Sequence, residues 1–162
     1  MSSFEERLKN AIERGQRKSD SRARAEEIRR MNEEELRRLH GQYRLQLCDQ
    51  IEKCLSRLPD HFPGFRFETT VTEQGWGAVV SRDDIRVDRQ RRRNNLFSRL
   101  QILVRPYSEY HVLNVTAKGT IRNRELLNRD HFEKLVDVDI DQFIDLVDRW
   151  TLEFAELYAA HD

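Results

Sequence analysis

The sequence predicts an α+β protein: a charged N-terminal helical arm, then a helix, a four-stranded antiparallel meander and a second helix, both helices on one face of the sheet. Three observations predict it. Residues 1–39 are dominated by Glu and Arg, whereas from Leu45 onward aliphatic and aromatic side chains recur often enough to build a core. Between Phe65 and Lys118 apolar and polar residues alternate with a period of two between closely spaced turn signals, the pattern of antiparallel strands with one buried face. On either side of that region, Tyr43–Leu58 and Ile140–Ala159 carry apolar residues at helical spacing.

The length of 162 residues suits one domain with a modest core rather than two. We divide it into an arm, residues 1–40, and a core domain, residues 41–162. Formal net charge is +0, which hides a gradient. Residues 1–58 sum to +3, residues 59–129 to +5 and residues 130–162 to −8. A neutral total argues against bulk attraction to nucleic acid or anionic membrane, but leaves room for a local basic patch.

Ser3 followed by Glu6 is a capping box, and Phe4, Leu8, Ala11 and Ile12 then follow at helical spacing, with Gly15 as the expected stop. The polar stretch 16–21 reads as a joint. A second helical pattern resumes near Arg22 and runs to Leu58, where Pro59 ends it. Glu33–Arg37 and Glu34–Arg38 support it as i,i+4 pairs with the acid first. Ile28, Met31, Leu36, Leu39 and Tyr43 form only a thin seam, too short for a coiled coil. From Tyr43 the stripe widens through Leu47, Ile51, Cys54, Leu55 and Leu58. Gly41 stands at the changeover and is expected to mark a bend between arm and core.

The strands follow the prolines at 59 and 63. Phe65, Phe67, Thr69 and Val71 share one face of the first. Glu73-Gln74-Gly75 turns into a second over about Trp76–Ser81, which Ile85 and Val87 either extend or follow as a short extra strand. A third covers about Leu96–Arg105, with Leu100, Ile102 and Val104 inward. The fourth covers about Tyr110–Lys118, with Leu113, Val115 and Ala117 inward and Gly119 closing it. Residues 120–138 suggest short helical turns at Glu125–Leu127 and Phe132–Leu135. Asp139 and Gln142 form a second capping box, opening a helix whose stripe is Ile140, Phe143, Val147, Trp150, Phe154, Leu157 and Tyr158.

The opening MSSFEERLKN has no apolar core of a signal peptide, and no apolar run is long enough to span a bilayer, so a cytoplasmic protein without membrane association is expected. Cys48 and Cys54 stand six residues apart on one helix, ~240° around its axis. They cannot bridge within it and lack zinc-ligand spacing, so two packed free thiols are expected.

Catalytic motifs are absent. The five histidines show no HExxH spacing, and there is no phosphate-cradling glycine loop or nucleophile elbow. No cofactor or metal is expected, and the chain reads more as a non-enzyme than as an enzyme. The candidate binding residues are Arg89, Arg91, Arg92 and Arg93 at a loop tip, with Arg99 on the following strand. Guanidinium forks suit phosphates and carboxylates, so such a cluster points to an anion or an acidic partner. The competing reading is a solvated loop in a sequence whose basic residues are mostly Arg. The expected outer sheet face (Arg66, Glu68, Arg99, Gln101, Arg105, Asn114, Thr116, Lys118) has no aromatic platform for bases, which weighs against RNA recognition. The function expected is a non-catalytic protein–protein interaction or scaffolding module, working through a protein partner or self-association. Anion or nucleic-acid binding through the 89–93 loop is the alternative.

Overall fold

The computed structural model of the chain describes residues 3–30 and 32–160. It is an α+β fold built on a five-stranded antiparallel sheet, each strand paired with its neighbour in sequence. Helix α1 (Phe4–Arg29) leads to α2 (Glu33–Leu55) and the single turn α3 (Leu58–His61). Strands β1 (Arg66–Thr72), β2 (Gly75–Val87), β3 (Arg93–Val104), β4 (Val112–Ile121) and β5 (Arg124–Lys134) follow. A 3-10 turn at Leu135–Asp137 then leads to α4 (Ile140–Ala160).

The core is the sandwich of one sheet face with α2 and α4. Ala78, Val80, Leu100, Ile102, Val104, Leu113, Val115 and Ala117 supply the sheet side, as their alternation predicts. Leu47, Ile51 and Leu55 from α2 and Phe143, Val147 and Phe154 from α4 close over them. At Gly119 on β4 an added Cβ would stand 2.9 Å from Phe154 Cδ2 and 2.9 Å from Leu127 Cβ. The missing side chain is what lets α4 settle onto β4 beside β5.

The sheet has five strands, not four, because residues 124–134 form β5 rather than helical turns. β4 does not close at Gly119. It continues through a bulge at Gly119/Thr120 to Ile121, and Arg122 (φ 49) and Asn123 (φ 70) make the turn into β5. Both take the left-handed conformation that a tight hairpin turn requires. β5 is an edge strand, fully buried only at Leu127 and with apolar residues at Leu126, Leu127 and Phe132 that do not alternate, so no period-2 signal marks it.

The helical boundaries move as well. α1 runs unbroken for 26 residues through Gly15 and the expected joint at 16–21. One glycine costs only about 1 kcal/mol relative to alanine, and the neighbours are good helix formers; Glu13 and Arg17 pair across it at 4.0 Å. The break comes instead before Asn32, whose Oδ1 accepts the Glu35 N–H at 2.9 Å as the N-cap of α2. α2 passes straight through Gly41. Leu36, Leu39 and His40, placed by the sequence on the arm side of Gly41, are buried. Within the predicted thin seam, Met31 and the side chain of Ile28 lie outside the described residues. Ser3 caps α1 as expected, its Oγ accepting from Glu6 N–H at 3.3 Å, whereas Asp139 Oδ1 accepts from Asp141 N–H at 3.1 Å rather than from Gln142 of the expected capping box.

Candidate functional site

The β2–β3 hairpin outruns its neighbours. β1 pairs with β2 only as far as Ser81, and the ladder of β4 on β3 begins at Arg99. Beyond those points Arg82–Val87 and Arg93–Ser98 form a two-stranded ribbon. Its base is clasped by the β4–β5 turn: Asn123 Oδ1 accepts from Phe97 N–H at 2.9 Å and Asn123 Nδ2 donates to the Asn95 carbonyl at 2.8 Å. Ser98 Oγ, fully buried, accepts from Arg122 N–H at 3.0 Å.

Asp88 shapes the tip. Its Oδ1 accepts from the N–H groups of Gln90 (2.9 Å) and Arg92 (2.7 Å), while Arg91 takes φ 60 to reverse the chain. Arg89, Arg91, Arg92 and Arg93 are therefore gathered on one exposed loop, and none of them forms an ion pair among the described residues. Arg99 is not with them. It lies six residues beyond Arg93, ~20 Å along the strand, with Nη2 donating to Gln101 Oε1 at 2.5 Å. There it shares a shallow depression of the outer sheet face with Thr72, Glu73, Gln74 and Lys118. Arg82, also near the ribbon in sequence, is held by Asp84 at 2.9 Å and Tyr158 Oη at 3.1 Å.

The outer face is polar for the most part, but Val79 and Leu103 are buried on it and two aromatics stand there as well. Phe97, beside Arg99 on β3, is half-buried, and Phe132 on β5 is exposed. Phe132 escaped the sequence reading because β5 itself did. The two stand on different strands of the sheet, with β4 between them.

Helix α1 is the second candidate. Its side chains are exposed along nearly the whole length, only Ala25 being half-buried among those described. Phe4, Leu8 and Ile12 present 69%, 44% and 52% of their surface to solvent. A stripe of large apolar residues with nothing against it is costly to hydrate at about 25 cal/mol per Å².

The third feature is a groove of about 600 Å³ between α2 and α4, floored by Cys54, Leu58, Phe62, Thr151, Leu152 and Ala155. Asp148 stands in it, accepting from Gln50 Nε2 at 2.6 Å and from the Cys54 thiol at 3.0 Å. Burial, reinforced by the Asp148 carboxylate, pushes the Cys54 thiol up to about 12. Burial, helped slightly by Glu52 and opposed by Arg44, raises Cys48 to about 11. Both thiols are free, and both stay protonated and poorly nucleophilic at neutral pH.

The last grouping joins distant stretches of chain. His40 on α2 is buried, its ring edge-on to Tyr107 at 5.7 Å, and Tyr107 in turn lies 5.8 Å from His111. Arg37 stacks over Tyr107 at 4.6 Å. Burial lowers the His40 pKa, against a hydrogen bond to the Arg105 backbone that raises it. Burial thereby favours the neutral imidazole of His40, which packs against Tyr107. Among the described residues no three His, Cys, Asp or Glu side chains are placed to hold a metal ion, and no helix is long and apolar enough to cross a membrane. No protein-family model, curated protein or solved structure matches the chain.

Proposed function

We propose that the chain is a non-catalytic protein–protein interaction module in which α1 is the docking arm and the sheet with α2 and α4 is its rigid base. The observation that supports this reading is the Phe4–Leu8–Ile12 stripe, exposed on a helix whose described side chains lie largely off the core. Exposed apolar stripes of this kind mark interaction surfaces, and an amphipathic helix binds through such i, i+4 anchors. The arm of this reading ends near Asn32 rather than at residue 40, since Leu36 and Leu39 belong to the core.

Replacing Phe4, Leu8 and Ile12 together by Glu tests it. All three side chains are exposed, so thermal stability of the core should stay within a few degrees of the parent. Association with partner chains, scored by pull-down and by light scattering, should be lost. Undiminished association by the triple variant would remove α1 from the interface.

A second reading, an anion or nucleic-acid site, is favoured by one observation: the ribbon carries four exposed arginines past the end of the β4 ladder. A two-stranded ribbon is narrow enough to enter a major groove. Replacing Arg89, Arg92 and Arg93 by Ser spares Arg91, whose φ of 60 makes the turn. If the tip contacts phosphates, binding to duplex DNA or RNA should lose salt dependence by ~0.7–0.9 in log–log slope for each contact removed. A parent protein that fails to bind at low salt rules this reading out.

A further inference from the structure

The groove between α2 and α4 and the stripe on α1 are both apolar, and both are unfilled within one chain. Leu152 on the groove's α4 wall is 68% exposed, the same order as Phe4 on the arm. Each feature has the shape that would cover the other. The groove lies between two helices and has room for apolar side chains of a third; the stripe is one side chain wide and just over two turns long.

Charge fixes the match further. The α2 wall of the groove carries Lys53, with Arg57 just past the end of α2, and the α4 wall carries Asp148. Lys53 is drawn to Asp49 at 3.0 Å, but Arg57 makes no ion pair among the described residues. On α1, taking ~100° per residue, Glu5 and Lys9 flank the stripe on the Ile12 side, while Arg7 and Arg14 flank it on the other. The basic Arg7–Arg14 flank suits the acidic wall, and the mixed Glu5–Lys9 flank is left for the basic one. That pairing selects one of the two directions in which a helix can lie in the groove.

We propose that this groove receives the Phe4–Leu8–Ile12 stripe from a second copy of the chain, the two copies exchanging arms about a two-fold axis. The proposal rests on the reading of α1 as a docking arm and adds the identity of the partner and the receiving site. Within one chain the arm does not fill the groove, because its stripe is exposed; its last turn, where Ala25 is half-buried, is instead its point of contact with the core. Reciprocal exchange fills two grooves with two stripes and leaves neither surface over, as a closed two-fold assembly requires.

The experiment uses the full chain in three forms: parent, Leu8→Glu on the arm and Leu152→Glu in the groove. Both side chains are exposed, and thermal melts verify that each variant folds. Light scattering across a dilution series should give a dimer for the parent and dissociation at least about tenfold easier for each variant, since either change sets a carboxylate in an apolar contact. A photo-crosslinking residue at position 8, in a mixture of isotopically heavy and light chains, should then give heavy–light adducts on α2 or α4. A monomeric parent at hundreds of micromolar overturns the proposal. So does a dimer that Leu152→Glu leaves intact, or an adduct formed only within one chain. The arm reading fails separately, through the triple Glu variant that keeps its partners. A monomeric parent whose triple variant loses a different protein would keep the arm and discard the self-exchange.

Discussion

Trp150→Ala should destabilise the protein by about 3–5 kcal/mol, the range for truncating a buried aromatic. Trp150 is 6% exposed and stands midway along the apolar stripe of α4, with Val147 before it and Phe154 after it. The helix gives the core two fully buried phenylalanines, Phe143 and Phe154, and Phe154 reaches Phe65 at 6.3 Å and Tyr158 at 6.2 Å between ring centroids. Removing the indole opens a cavity among side chains that are held by the sheet and cannot close in. Urea unfolding by circular dichroism measures the change. A loss below about 1 kcal/mol would mean that α4 does not carry the sheet's cover.

Gly77→Ala should cost as much from the opposite cause, at or beyond the upper end of the ~1–3 kcal/mol typical of overpacking. A Cβ at Gly77 would lie 1.9 Å from the Ile102 carbonyl oxygen on β3 and 3.0 Å from its carbon. The obstacle is main chain, not the end of a flexible side chain, so β2 and β3 must separate or slide where they pair. The damage would spread to Trp76, whose carbonyl accepts from the Cys48 thiol at 3.7 Å and whose ring lies 4.3 Å under the Arg44 guanidinium. Differential scanning calorimetry of Gly77→Ala beside Ala78→Gly, a change that only removes contacts, separates strain from lost packing. An unshifted Tm for Gly77→Ala would show that the strands yield there without cost.

The strands that face the core were legible because alternation reports burial on one side only. Leu100, Ile102 and Val104 on β3, and Leu113, Val115 and Ala117 on β4, are all buried where the period of two puts them. β5 was not legible for the same reason reversed. It pairs along its length with β4, but only Leu127 is fully buried, and Leu126 and Phe132 fall outside any alternation, so its sequence carries hydrogen-bond geometry without a period-2 hydrophobic signature. Its start did carry a signal: Arg122-Asn123, with Asn in a position that favours the left-handed region, lies between two stretches able to pair. The break between α1 and α2 was likewise written as Asn32 followed by three acidic residues, an N-cap with its first turn. It was masked by the continuous helical composition around it. The grouping of the tip arginines could be read from their closeness in sequence. Arg99's separation from them could not, because it depends on how far the ribbon extends past its neighbours. The α2–α4 groove lay beyond sequence reading altogether, being made where residues about a hundred positions apart come together.

The order in which the layers are supplied has a consequence for a chain emerging from the ribosome. All five strands pair with their sequence neighbours, so the sheet can zip as each hairpin appears, with only short loops to close. Its inner face is then half roofed by α2, while the β4 side waits for Ile140–Ala160. During that interval Leu113, Val115, Ala117 and Ile121 lack their cover. A nascent chain paused between β5 and α4 would present the most adhesive surface this protein ever shows, and a chaperone would have its opportunity there.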